Sequence, residues 1–572
     1  MKGYNQTSIQ LDGSVKEALA VSRQRMLFVL VFFCLCFLTI IARLVDLSGV
    51  DSKTVRQHIA SYDNSLHWKR ASIVDRNGIL LATNLKTFSL YANAKRILDP
   101  KLSSEGLVGL FPELDYDSVY EKLTSGKGFV WIKRNLHPWE QVAVNKLGDP
   151  GLMFRVEEKR SYPQGNLLAH ILGVVGQDGH GLMGIERSME HYLQIPERAI
   201  ENPDPLQLTV DIRVQDILHE ELTKKMEEHK AIGASGVVLD VHNGEVLAMV
   251  SLPDFDPNFP ENMESTSAFN RGTLGIYEMG STFKAFTMAM ALDSGKVGFL
   301  DRFDATKPVK IGRFRIRDYH GEKREMNLPE IFMYSSNIGT AKIADVVGKE
   351  VQQDYLSRLG LLSGLDVELP ERGTPLWPEH WGRVHTMTIS YGHGIAVTPL
   401  HVAAAAAALV NGGEYRQSTL LKGQGGEPTR VISKDTSEKM RRLLRLVVAD
   451  EDGTGGKAAA KGYVVGGKTG TAEKPGTNSK RYDKRRLVTS FMGAFPMDNP
   501  RYVVLTVMDE PKPTKNSFGY ATAGWTAAPV VKNVVTRMAP VLGIAPQDED
   551  SQMLTEKLHI EYKQKEAEIA AY

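Results

Sequence analysis

Ser281-Thr282-Phe283-Lys284-Ala285-Phe286-Thr287-Met288-Ala289-Met290-Ala291-Leu292 is apolar nearly all round and stops near Gly295, the pattern of a buried helix with a glycine at its C-terminal end. Ser281 opens this segment, and Lys284, one turn on, shares its face. A lysine set among such neighbours is drawn toward its neutral form, which a general base requires. Two further motifs follow in order, Ser335-Ser336-Asn337 and Lys468-Thr469-Gly470-Thr471. Ser281 is the only serine with Lys three positions later, Ser335 is the only serine two residues before an Asn, and Lys-Ser/Thr-Gly occurs once. The separations, 335 − 281 = 54 and 468 − 337 = 131 residues, leave room for a helical subdomain and a return to a sheet.

These residue types describe an acyl-transfer site. Ser281 is an inert hydroxyl until Lys284 removes its proton, and burial plus a second cation, Lys468, would depress the lysine far enough for that. Ser335 can relay a proton from Lys284 to a leaving amine, while Asn337 can hydrogen-bond a substrate amide with both donor and acceptor. Ser and Asn are also favoured helix-cap residues, so a purely structural reading of that triplet stays open. Lys468 and Thr469 suit a terminal carboxylate, and Gly470 lets a substrate backbone approach a strand. The backbone N–H of Ser281 and that of Thr471 are the candidate oxyanion donors.

A chain of 572 residues is long enough for two or three folded units. Lys+Arg 69 against Asp+Glu 68 leaves a net charge of +1, which argues against a nucleic-acid partner. Met26 to Ala42 runs without a charge, and Leu44-Val45 beyond Arg43 extends the stretch to the ~20 residues that cross a bilayer. Secretory h-regions are shorter and end at a small-x-small site, so residues 26–45 read as a retained anchor. Lys2, Lys16, Arg23 and Arg25 outweigh Asp12 and Glu17, which places the tail 1–25 in the cytoplasm and the rest outside. Both cysteines, Cys34 and Cys36, fall in that span, so the exported part is expected to fold without disulfides and without a Cys-ligated metal.

Residues 46–205 mix short apolar runs with turn signals and read as a β-rich module. Asn202-Pro203-Asp204-Pro205 is the expected joint, because two prolines in four residues interrupt helix and ladder. In 206–541, Gly236–Asp240 and Glu245–Val250 flank Asn243-Gly244 as a hairpin, and Val488–Phe495 and Tyr502–Met508 read as two more strands. With the Lys468 strand, five antiparallel strands are expected. Helical patterns dominate from Gly339 to about Ala460, and Ala527–Met538 reads as a helix packing on the sheet. The tail 542–572 is polar and reads as a solvated or frayed extension beyond Pro546.

The motif set resembles that of penicillin-binding proteins and class A β-lactamases, whose second motif has Asp where Ser336 stands here. Arg70-Ala-Ser-Ile-Val-Asp-Arg-Asn-Gly78, Arg160-Ser-Tyr-Pro163, His170–Gly173 and Gly184-Ile-Glu186 are similar to the pedestal of class B penicillin-binding proteins. So are Lys468-Thr-Gly-Thr-Ala-Glu-Lys474, Ser390-Tyr-Gly-His-Gly394, Val397-Thr-Pro-Leu400, Asn411-Gly-Gly413 and Ala527-Ala-Pro529 in the catalytic part. The chain thus resembles division-type class B penicillin-binding proteins over almost its whole length, with Met279 standing where the family usually has Pro. The resemblance implies an α+β fold: a five-stranded antiparallel sheet with helices on both faces, a helical lobe, a pedestal of the dimerisation type, and one N-terminal membrane helix. It implies a peptidoglycan D,D-transpeptidase acylated at Ser281 by a D-Ala-D-Ala stem peptide, with an amine of a neighbouring stem as acceptor and β-lactams acylating the same serine. It further implies residence in the bacterial inner membrane at the division septum, with the glycosyltransferase FtsW and other division proteins as partners. No metal and no organic cofactor is expected. Of the rivals, a class A β-lactamase needs a Glu-x-x-x-Asn base; between 338 and 467 the only Asn is Asn411, and Ala407 stands four positions earlier. An elongation-type transpeptidase and a β-lactam sensor are the remaining alternatives. The basic run Lys480-Arg481 with Lys484-Arg485-Arg486 reads as a solvated loop or an acceptor guide, and His393 as structural.

Overall fold

The computed structural model describes residues 23, 25–41, 68–196, 204–312, 314–476 and 482–562. Residues 25–41 are helical and carry exposed apolar side chains from Met26 to Ile41. Residues 42–45 of the expected anchor lie outside the described residues, and among those described no helix is long and apolar enough to cross a membrane.

The N-terminal module is built on one long strand. β1 (Ile73–Val74) leads into β2 (Leu80–Ala92), which pairs antiparallel with both β3 (Val130–Leu136) and β4 (Leu152–Ser161). Three helices cover it, α1 (Pro100–Leu110), α2 (Tyr116–Thr124) and α3 (Pro138–Asn145). Each starts where the sequence prescribes: the Asp99 side chain accepts from the backbone N–H of Lys101 and Leu102, Asp115 from that of Ser118, and Pro100 and Pro138 occupy the first turn. Leu107, Phe111, Val119, Leu123 and Val144 on these helices share one core with Leu90, Ala92, Ile132 and Leu136 on the strands. The module expected to be β-rich is therefore a strand-and-helix layer pair.

Asn202 and Pro203 of the expected joint lie outside the described residues; directly after it, β5 (Leu206–Gln207) pairs in parallel with β1 of the pedestal. α4 (Ile212–Glu228) then leads into the central sheet. β6 (Gly233–Asp240) and β7 (Val246–Leu252) form the expected Asn-Gly hairpin. α5 (Phe283–Asp293) is the buried helix, followed by α6 (Leu328–Met333), α7 (Asn337–Val347), α8 (Pro399–Val410) and α9 (Lys434–Ala449). The chain returns to the sheet as β8 (Gly466–Pro475), β9 (Tyr482–Phe495) and β10 (Tyr502–Asp509), then closes with α10 (Ala527–Val541).

The sheet order is β8-β9-β10-β6-β7, antiparallel throughout, so β8 is an edge strand. Period-two alternation sends Val237, Leu239, Met492 and Leu505 to the face covered by α5 and α8, and Val238, Phe491 and Val504 to the face covered by α4 and α10. Helices therefore lie on both faces, as expected. α8 is buried along its whole length, and its six consecutive alanines let it lie close to the strands.

The stretch after Pro546 departs from expectation. α11 (Gln552–Leu558) buries Leu554 and Leu558 in the main core, and Glu549 accepts from Arg445 and from the Gly462 N–H. Regularly spaced apolar side chains in a polar stretch proved enough to dock it. Residues 563–572 lie outside the described residues.

Candidate active site

Ser281 sits half-buried on a 3-10 turn, Gly280–Thr282, that runs into α5; the α-helix itself begins at Phe283, two residues later than the sequence pattern suggests. Gly280 has φ +55°, and a Cβ there would lie 2.6 Å from the Thr471 carbonyl oxygen. A Cβ on Gly470 would lie 2.3 Å from the Met279 oxygen. Only paired glycines let the nucleophile turn and the edge strand β8 approach so closely, which brings Ser281 beside Thr471. Met279, the departure from the family pattern, has its side chain buried, while its carbonyl accepts from the Thr282 hydroxyl at 2.9 Å.

Lys284 and Lys468 are both fully buried. Lys284 Nζ donates to the Ser335 carbonyl and, at 3.1 Å, to Ser335 Oγ. Lys468 Nζ donates to the same Oγ at 3.0 Å, to the Thr469 carbonyl at 3.2 Å and to Thr469 Oγ1 at 3.3 Å. Burial pushes Lys284 well below the usual lysine range, and the charge of Lys468 adds to the effect while Asp318 opposes it. Burial brings Lys468 down to about 7. Two amines on one hydroxyl oxygen cannot both stay charged in a dry site, so Lys284 is held toward its neutral form beside Lys468.

Ser335 bridges them from a left-handed backbone, φ +61°, between α6 and α7. Ser336 is the cap of α7, its Oγ accepting from the Gly339 N–H at 3.0 Å. The structural reading of the triplet thus holds for its middle residue, while Ser335 faces the two lysines. Asn337 Nδ2 donates to the Arg317 carbonyl at 3.1 Å. Thr469 Oγ1 also meets Thr454 Oγ1 at 3.0 Å, Gly470 is buried beneath Met279, and exposed Thr471 accepts from the Ala523 N–H at 3.3 Å. Of the sequence-predicted positions, Ser281, Lys284, Ser335, Lys468, Thr469, Gly470 and Thr471 meet at the edge of one sheet, while Asn337 is bonded to the Arg317 carbonyl. One contact is missing: among the described residues, no side chain hydrogen-bonds Ser281 Oγ, and Lys284 is turned to Ser335.

Sequence reading passed over two groups. Asp318 lies eighteen residues before Ser336, and its carboxylate accepts from Ser336 Oγ at 2.8 Å and from the Ile338 N–H at 2.9 Å. Glu278, three residues before Ser281, joins three segments: it accepts from Tyr482 OH at 3.0 Å and the Gly394 N–H at 2.9 Å, and lies 3.4 Å from His393 Nδ1. His393 thereby has a partner that its sequence neighbours do not suggest. Lys480 and Arg481 of the basic run lie outside the described residues, Arg485 pairs with Asp483 two residues away, and Arg486 donates to Glu510 at the end of β10. Among the described residues no group of His, Cys, Asp and Glu is arranged to hold a metal.

A hydroxyl held between two buried lysines, one of which lies a turn along from a second serine, marks the Ser-x-x-Lys class of serine enzymes. Comparison with known proteins specifies the family. The penicillin binding protein transpeptidase domain matches residues 234–536, and the penicillin-binding protein dimerisation domain matches 66–237. The chain is 40% identical over 536 residues to a probable peptidoglycan D,D-transpeptidase FtsI of Caulobacter vibrioides, covering 92% of this chain and 90% of that one. It is 32% identical to a probable peptidoglycan D,D-transpeptidase PenA of Neisseria gonorrhoeae, covering 95% and 97%, and 28% identical to the peptidoglycan D,D-transpeptidase FtsI of Escherichia coli, covering 83% and 84%. The crystal structure of penicillin binding protein 3 of Mycobacterium tuberculosis, complexed with aztreonam, shares the fold with a TM-score of 0.66 at 23% identity, covering 84% and 97%. The chain belongs to the class B penicillin-binding proteins, with transpeptidase and dimerisation domains.

Proposed function

We propose that this chain is a peptidoglycan D,D-transpeptidase that cross-links stem peptides at the division septum. The observation that carries the reading is Ser335 Oγ, held at 3.1 and 3.0 Å by two fully buried lysines beside the turn that bears Ser281. Ser281 Oγ attacks the carbonyl of the penultimate D-Ala as neutral Lys284 takes its proton. The Ser281 and Thr471 N–H groups receive the oxyanion, while Lys468 and Thr469 hold the terminal carboxylate and Asn337 the donor amide. Ser335, in contact with both amines, passes a proton to the departing D-Ala nitrogen. The ester left on Ser281 is then attacked by the amine of a second stem, with the proton returning along the same path. The free edge of β8 offers backbone pairing for an extended stem peptide, as sheet edges do for other peptides. β-Lactams acylate Ser281 by the same route and leave a slow ester, because no class A deacylating base is present.

The domain limits we propose are a cytoplasmic tail 1–25, an anchor 26–45, a pedestal 46–205, a transpeptidase domain 206–541 and an extension 542–572 that docks through residues up to 562. The charge-free run and its exposed apolar helix favour a single pass of the inner membrane, with the catalytic domain in the periplasm. FtsW and other division proteins are the partners this reading entails. The FtsI name of the Caulobacter relative supports division over elongation. The test has two readouts: release of D-Ala with cross-linked product from pentapeptide glycan strands, and the shape of depleted cells. Filaments support the division role; rounded cells would assign elongation, and acylation without cross-linking would favour a sensor.

A further inference from the structure

We propose that Asp318 is a positioning residue of this site: from a separate segment, it supplies the carboxylate that the Ser-Asp-Asn form of the second motif carries in its own middle residue. The proposal rests on the reading of Ser335 as proton relay.

Ser335 must hold a left-handed backbone, which a non-glycine residue keeps only where its surroundings over-determine it. On one side the Ser336 N–H closes the end of α6, donating to the Ile331 carbonyl at 2.9 Å. On the other side the next three residues are all held by Arg317–Asp318. Ser336 Oγ donates to one Asp318 oxygen at 2.8 Å, the Ile338 N–H donates to the other at 2.9 Å, and Asn337 Nδ2 donates to the Arg317 carbonyl at 3.1 Å. The carboxylate locks the rotor of Ser336, so that its oxygen faces the Gly339 N–H and caps α7. An anion at that helix start is favoured electrostatically as well. Ser336 is too short to reach the Ile338 N–H and cap Gly339 together, and Asp318 fills the gap. With a neutral, weaker partner, Ser336 can rotate away, and Ser335 Oγ then loses its fixed place between Lys284 and Lys468.

Asp318 also has an electrostatic part. The charged groups acting on Lys284 are Lys468 from the sheet edge and Asp318 from the lobe, and only Asp318 favours the protonated amine. Its removal lets the lysine fall further, so the acid limb of acylation moves to lower pH. A cap that merely stiffened α7 would slow acylation without that shift.

The experiment compares Asp318→Asn and the relocation variant Asp318→Ser/Ser336→Asp with the parent, reading fluorescent-penicillin acylation rate against pH and thermal midpoint. Asp318→Asn is expected to acylate roughly ten-fold to a hundred-fold more slowly, the range for losing a charged hydrogen-bond partner, with its acid limb displaced downward. The relocation variant is expected to recover most of the rate. Parent-like rate and limb in Asp318→Asn, or a folded relocation variant no faster than Asp318→Asn, overturns the proposal. Should Asp318→Asn fail to fold, the relocation variant decides alone: acylation supports the proposal and a folded, inactive protein sinks it. Ser281→Ala run alongside separates the failures, since label retained there refutes the nucleophile and not Asp318.

Discussion

Lys468 is fully buried and its pKa is brought down to about 7, so at neutral pH the folded chain binds fewer protons there than the unfolded chain, whose lysines titrate near 10.4. The sign follows: the cost to folding is full below pH 7, and fades as pH rises from 7 toward about 10. Lys468→Met is therefore expected to abolish acylation yet stabilise the fold by about 1–3 kcal/mol at pH 7, with the gain shrinking by pH 10. Denaturant titrations at the two pH values check this, and a Met variant less stable at pH 7 would contradict it. The same lysines limit catalysis at both ends: acylation should rise as Lys284 loses its proton and fall above about pH 7 as Lys468 loses the charge that holds a carboxylate. A rate that climbs steadily to pH 9 would exclude Lys468 as the carboxylate clamp. At this scale the sequence was informative about Lys284, whose apolar neighbours announce burial, and not about the burial of Lys468, which stands between Gly467 and Thr469. It was silent about where the amines point, since Ser335 owes its place to a positive φ and to Asp318, neither of which leaves a local pattern.

Elements meet at this site by close backbone approach, and the glycines record it. Gly470→Ala would drive a Cβ into the Met279 carbonyl, an atom that cannot swing aside, and would push the nucleophile turn from β8. We expect acylation to fall at least ten-fold, with a stability loss of roughly 1–3 kcal/mol, the usual cost of overpacking. Acylation kinetics with a thermal scan read both, and parent-like kinetics would show that the turn and strand are not coupled. Five strands were legible from their apolar, β-branched runs and the Asn243-Gly244 turn, because a sheet buried on both faces needs apolar runs of that length. The 3-10 start of α5 was not, since Ser281, Thr282 and Phe283 suit either helix and the turn is imposed by the strand across from it. The Glu278–Tyr482–His393 contact was equally hidden, joining residues more than a hundred positions apart.

On the scale of the whole molecule, the C-terminal strap fastens the start of α6 to the far end of α9. Tyr562 donates to Asp450 at 2.6 Å, its carbonyl accepts from Asn327 at 2.8 Å, and Arg442 donates to the Lys557 carbonyl at 3.0 Å. Ending the chain after Pro546 removes two buried leucines and these bonds, an expected loss of roughly 3–6 kcal/mol in denaturant unfolding; a change under about 1 kcal/mol would mean the strap is idle. Its polar composition concealed this, because Leu554 and Leu558 alone carry the apolar face. The pedestal showed the opposite: its family stretches were recognisable, while its helices, each only two or three turns, gave weak periodicity. The central claim is that all of this scaffold serves one hydroxyl, and it is tested most directly by incubating the purified protein with a fluorescent penicillin and mapping the adduct by intact mass and peptide analysis, with Ser281→Ala beside it. One stable adduct on Ser281, absent from the variant, is the result expected. No adduct on folded protein, an adduct elsewhere, or rapid turnover of the penicillin would contradict the account.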